Sequence, residues 1–201
     1  MRDSATRDVR GAILDSAERM LAGNGYKKMT IDDLAADVGI GKGSVYLHFS
    51  SKEDIALSHI DRIIERLKGR LDKIAGRKTP VGQRLKEMLI DRVTFRFDSV
   101  QHYTQGLNDL LSKIRPSLLD RRRRHFEEEA RIFSRVINEG VSTGEFDKVK
   151  PHDAAWALIV ATNSLLPYSL SAQELGERAE IKKRVSSLAD LLLKGLIARN
   201  K

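Results

Sequence analysis

Apolar residues recur every third or fourth position along nearly the whole chain, and no stretch keeps the two-residue alternation of a strand. That spacing confines the fold to helices packed on helices. Ile13, Ala17, Met20 and Leu21 make one stripe, and Ile31, Leu34, Ala35 and Val38 make a second. Ile60, Ile64, Leu67, Leu71 and Ile74 make a third, longer one. Between them lie helix stops and starts. "GNG" at 23–25 ends the first helix, where glycine can take a left-handed cap. Thr30 opens "TIDDLAADV" with a capping hydroxyl, and Asp33 completes a capping-box-like T-x-x-D. Gly39 stops that helix. A short helix follows at about 42–49, with Val45 and Phe49 one turn apart and facing inward. "SSKED" restarts a long helix, with Ser50 or Ser51 as its cap and Glu53 and Asp54 matching its positive end. "GRKTPVG" at 76–82 closes it. Further helices are expected at about 83–98, 100–114, 117–140, 152–166 and 178–198, with weaker breaks at Pro116, at 140–151 and at Pro167.

A chain of 201 residues, 41% hydrophobic and 32% charged, suits a soluble protein with a real core. It contains no cysteine, so disulfides and thiolate metal sites are excluded. The N-terminus lacks the apolar stretch of a signal peptide. The longest purely apolar run, Ala154–Ala161, falls far short of the roughly 20 residues a bilayer needs. A cytoplasmic protein without a membrane partner is the expectation. The net charge of +8 invites a nucleic-acid reading, but its distribution does not locate it. Residues 1–54 hold 8 Lys/Arg against 9 Asp/Glu, and residues 55–201 hold 28 against 19.

The stretch "GIGKGSVYLHFSSKE" at 39–53 has the small residues and lysines of a phosphate binder. A P-loop requires glycine five residues before Gly41, where Ala36 stands. A dinucleotide fingerprint requires G-x-G-x-x-G after a strand, whereas Gly39, Gly41 and Gly43 have another spacing and follow a helix. A DNA-binding helix pair fits better. Residues 30–38 would brace, 39–41 would turn, and 42–49 would enter the major groove. Gly43 and Ser44 keep the leading edge of the second helix small. Lys42 can reach a phosphate or base edge, and Tyr46, His48 and Lys52 can donate to phosphates. Thr30 can serve both as cap and as a hydroxyl near the backbone. Each also has a structural role open to it: Tyr46 could seal a small core, His48 could be a plain surface histidine, and Thr30 could only cap.

"TIDDLAADVGIGKGSVYLHFSSKEDI" resembles the helix-turn-helix of the TetR family of bacterial transcriptional repressors. The resemblance rests on Thr30, Leu34, Ala35, Val38, Gly39, the "KGSVYLHF" stretch with Tyr46 and Phe49, and Lys52 followed by an acid. It spans roughly residues 8–56, since "ILDSAERMLAGNGYKKMT" also matches the lead-in. Leu47 departs from the pattern, where the family usually carries a polar or aromatic residue, and this is expected to alter base preference. The resemblance implies an all-α protein: a three-helix DNA-binding domain at 1–52 and a larger helical domain at 53–201 for effector binding and dimerisation. It implies double-stranded operator DNA, a second copy of the chain and a small-molecule effector as partners. DNA-contact candidates are Thr30, Lys42, Gly43, Ser44, Tyr46, Leu47, His48 and Lys52.

No carboxylate pair, metal-spaced histidine cluster or nucleophile–base pair stands out, so no cofactor, metal or catalytic site is expected. An enzyme or a protein-binding module that keeps an idle helix-turn-helix is the alternative. Ligand-pocket residues are not identified; Tyr103, Trp156, Asn163 and Tyr168 are polar or aromatic groups in apolar helices, where most such groups satisfy local hydrogen bonds. "AAWALIVATNSLLP" is apolar almost all round, and Val185, Leu188, Leu192 and Leu196 stripe the last helix with Ala189 and Leu193 beside them. These two helices are expected to form a four-helix dimer interface. Arg121–Arg124 could be a second DNA contact, but the favoured reading is a solvated face, with Arg123–Glu127 and Arg124–Glu128 as i, i+4 pairs.

Overall fold

The computed structural model describes the backbone of residues 2–100, 107–166 and 176–197, and side chains within 9–99, 112–166 and 176–197. Among the described residues every regular element is helical: α1 (Arg2–Gly23), α2 (Gly25–Lys28), α3 (Ile31–Val38), α4 (Lys42–His48), α5 (Lys52–Ala75), α6 (Val81–Val100), α7 (Leu107–Thr143), α8 (Pro151–Ala161) and α9 (Arg178–Lys194). A 3-10 turn, Thr162–Leu165, follows α8, and Phe146 and Ile197 share a lone antiparallel bridge. The chain packs as two units, Met1–Ile63 with Val100–Leu119, and Ile64–Ser99 with Asp120–Lys201.

The first unit closes around one apolar cluster. Ile13, Leu14, Ala17 and Leu21 of α1 meet Leu34 and Ala35 of α3, Val45 and Phe49, and Ile55, Ala56 and Leu57 of α5. Met20, Ile31, Val38 and Ile60 are only half-buried at its edge. Local chemistry fixes the breaks. Gly25 has φ 73° and separates α1 from the one-turn α2, whose Tyr26 is buried. Gly39 has φ 75°; its N–H reaches Ala36 O, and Ile40 N–H reaches back to Ala35 O at 2.9 Å. This is a Schellman stop, and glycine is the residue that adopts it without a Cβ penalty. Of the two serines open as cap for α5, Ser51 does it: its Oγ accepts from Asp54 N at 3.1 Å. Asp54 in turn accepts from Ser50 N at 3.0 Å.

The second unit has a larger core, with Leu67, Leu71 and Ile74 of α5 set among residues of α6 to α9. Glu145 supplies the N-terminal cap of α6, accepting from Val81 N at 3.1 Å and Gly82 N at 2.7 Å. Pro116 does not break the chain as expected; α7 runs through it for 37 residues. Proline removes one N–H and fixes a φ that is already helical, so burial of Ile114 on one side and Phe126 on the other outweighs one missing bond. On α9 the fully covered stripe is Ile181, Val185, Ala189 and Leu193, while Leu188 and Leu192 are half-buried.

The charge block at 121–129 pairs differently from its sequence spacing. Glu127 accepts from His152 Nε2 at 3.0 Å and Glu128 from Lys68 Nζ at 2.7 Å, in place of Arg123 and Arg124. Glu129 is a core residue. It has no exposed surface and takes Arg92 Nε at 2.7 Å on one oxygen and Arg96 Nη2 on the other. Arg92 Nη1 goes on to Thr162 Oγ1 at 3.0 Å. Burial alone would raise the Glu129 carboxyl, but the Arg96 and Arg92 guanidinia hold it below the usual carboxylate range. A depressed folded pKa gives stability that is complete above the unfolded value, about 4.3, and is lost as the pH falls through the folded one. Glu129→Gln is therefore expected to cost about 3–5 kcal/mol at pH 7 in urea unfolding, with the gap to wild type narrowing below about pH 4.

Candidate nucleic-acid interface

Seven residues are too few to hold a helix in water by themselves. α4 persists because Val45 (0% exposed) and Phe49 (2%) are drawn into the core of the first unit. α1 packs on α3, and α3 packs on α4. The guanidinium of Arg10 lies 4.8 Å from the Phe49 ring centroid and secures the exit of α4. The following helix start is pinned as well: Tyr26 donates to Glu53 Oε1 at 2.9 Å, and burial, with Glu53 beside it, pushes the tyrosine phenol well up.

Fixing the inner face leaves the outer one bare. Gly43, Tyr46 and Leu47 share it at i, i+3 and i+4; Tyr46 is 50% exposed and Leu47 84% exposed. A side chain added at Gly43 would meet nothing within 4 Å, so backbone there can come close to another molecule. Ser44 and His48 are half-buried at the flanks. Thr30 is exposed, and its Oγ1 accepts from Asp33 N at 3.1 Å while donating to Asp33 Oδ2 at 2.6 Å. The expected cap is present, but Asp33 takes the threonine hydroxyl proton where a capping box would take the backbone N–H.

The two lysines differ. Lys42 Nζ stands 2.9 Å from Asp32 Oδ2 on the surface, and this carboxylate holds the ammonium above the usual lysine range. Lys52 turns inward: its Nζ is 4.3 Å from the Tyr26 ring centroid and 3.4 Å from Lys27 O, and burial pushes its pKa down. Asp32 and the α2 segment were not among the sequence candidates. The acid precedes Lys42 by ten residues, and nothing local in the sequence marks that distance. Of the pocket candidates, Trp156 packs edge-on to Phe126 with centroids 6.5 Å apart, and Asn163 lies half-buried in the 3-10 turn. Tyr103 and Tyr168 lie outside the described residues.

Two short helices joined by a glycine turn, the second covered inside and bare outside, define a helix-turn-helix protein. Residues 13–58 match the family model for bacterial regulatory proteins of the tetR family. Its N-terminal segment is therefore of the type found in that family. It is 26% identical over 182 residues to the HTH-type transcriptional repressor KstR2 of Mycobacterium tuberculosis, covering 84% of this chain and 88% of that one. The fold superposes on a transcriptional regulator from Cytophaga hutchinsonii with a TM-score of 0.77 at 22% identity, covering 92% and 97% of the two chains. It also superposes on FadR of Bacillus subtilis, solved in complex with stearoyl-CoA, with a TM-score of 0.64 at 19% identity over 92% and 97%.

The Asp32–Lys42 pair puts a carboxylate where a phosphate would compete. Asp32→Asn is expected to strengthen binding to duplex DNA roughly two- to fivefold in fluorescence anisotropy at fixed salt, the scale of an exposed ion pair. Weaker binding would mean that Asp32 aims the lysine.

Proposed function

We propose that the chain is a cytoplasmic, ligand-responsive repressor that binds palindromic operator DNA as a homodimer, and is not an enzyme. The observation that supports this most is the bare outer face of α4, with Lys42 at the start of that helix. Residues 1–52 would form the DNA-binding domain and 53–201 the effector-binding and dimerisation domain. Thr30, Lys42, Ser44, Tyr46, His48 and Lys52 would anchor the backbone, while Gly43 and Leu47 would face the bases. Lys52 would have to leave its place over Tyr26 to reach a phosphate. Two copies would read major-groove faces about 34–36 Å apart, or a similar groove repeat.

Apolar side chains left uncovered on the second unit support pairing. Val160 of α8 is 50% exposed and Leu191 of α9 is 68% exposed. Ala157 and Leu188, one turn away on each helix, are also outside the core. A two-fold axis would bring these faces together. The FadR likeness supports room for a small effector in this fold. Such an effector would act by its differential affinity for DNA-competent and incompetent arrangements.

Mobility shift with the region upstream of its own gene tests the reading: specific, salt-sensitive retardation is expected, and a purely protein-binding or catalytic role predicts none. Lys42→Ala should flatten the plot of log affinity against log salt by about 0.9 per subunit. An unchanged slope removes Lys42 from the phosphate contacts. Leu191→Glu should give a monomer by sedimentation at micromolar concentration and lose operator binding; a persisting dimer would relocate the interface.

A further inference from the structure

We infer that Leu47 reads the 5-methyl group of a thymine in the major groove, and so sets part of the operator sequence. The inference rests on the DNA-binding role proposed above. Leu47 is 84% exposed, more than any other large apolar residue described. It sits near the middle of α4, between Tyr46 and His48, while its neighbours Val45 and Phe49 face the core. The fold gains nothing from it: it belongs to neither apolar cluster. One turn earlier on the same face stands Gly43, with open space around it, so that position adds no side chain between Leu47 and an approaching surface.

The chemistry then narrows the target. A leucine side chain offers no donor or acceptor, so it cannot recognise the hydrogen-bonding atoms that distinguish guanine, adenine and cytosine. The apolar group a base presents in the major groove is the thymine methyl. Placing leucine against a guanine or adenine edge would strip water from polar atoms without replacing it, which disfavours those bases. Leu47 therefore selects a thymine by contact and rejects its alternatives by desolvation, while Lys42 and Tyr46 beside it remain able to hold the backbone.

The test begins with sites selected by the full-length protein from a random duplex pool. Each thymine of a selected half-site is replaced in turn by uracil, which keeps the pairing and deletes only the methyl. Wild type is expected to lose roughly fourfold in affinity at one position, the effect of one lost buried methyl contact. Leu47→Ala, with an unchanged circular dichroism spectrum, is expected to bind the thymine and uracil duplexes equally at that position. The inference is overturned if no thymine responds, or if wild type and Leu47→Ala respond alike. Selection of no preferred sequence at all would overturn the DNA-binding reading with it.

Discussion

The burial of two side chains, Val45 and Phe49, is the constraint on which the site depends. α4 is too short to exist on its own helix propensity. Burying a valine and a phenylalanine contributes about 1.5–3 kcal/mol each toward holding these roughly two turns of backbone in place. Because that anchoring occupies one side of the helix, the opposite side is free of structural duty. Gly43, Tyr46 and Leu47 can then be chosen for what they touch outside the protein. Gly39 completes the arrangement by turning the chain sharply enough for α3 to brace α4.

Charge around this helix is held in check by neighbours. Lys42 is matched by Asp32, and Lys52 rests on the Tyr26 ring and a carbonyl. The local balance of residues 1–54, with 9 acids against 8 basic residues, is therefore consistent with a DNA-binding surface. Acids such as Asp15, Glu18 and Asp37 are taken up by Arg62 and Arg19. Net charge per segment misleads here because ion pairs form between helices distant in sequence.

Much of the fold was legible because helix periodicity and caps are local signals. The stripes of α1 and α3, the Gly39 stop, the Thr30 cap and the inward pair Val45 and Phe49 follow from spacings of three and four residues. The exposed outer face of α4 was legible for the same reason, since it lies within one continuous stretch. What escaped were long-range pairings. Asp32 with Lys42, Glu128 with Lys68 and the buried Arg92–Glu129–Arg96 group join residues that no window of sequence brings together. Pro116 misled because a local rule, proline as breaker, yields to burial on both sides of it. On α9, leucines at almost every turn position allow several stripes, and only packing decides which faces in.

A residue-resolved titration tests the account most directly. Backbone amide chemical shifts of the labelled protein, followed as its selected duplex is added, would report which segment meets DNA. The largest changes are predicted at Thr30 and across 42–48, with the amides of the second unit's core, around Arg92 and Glu129, moving little. Binding that left 42–48 unperturbed, with the changes gathered on another surface, would contradict the claim that α4 is the reading element.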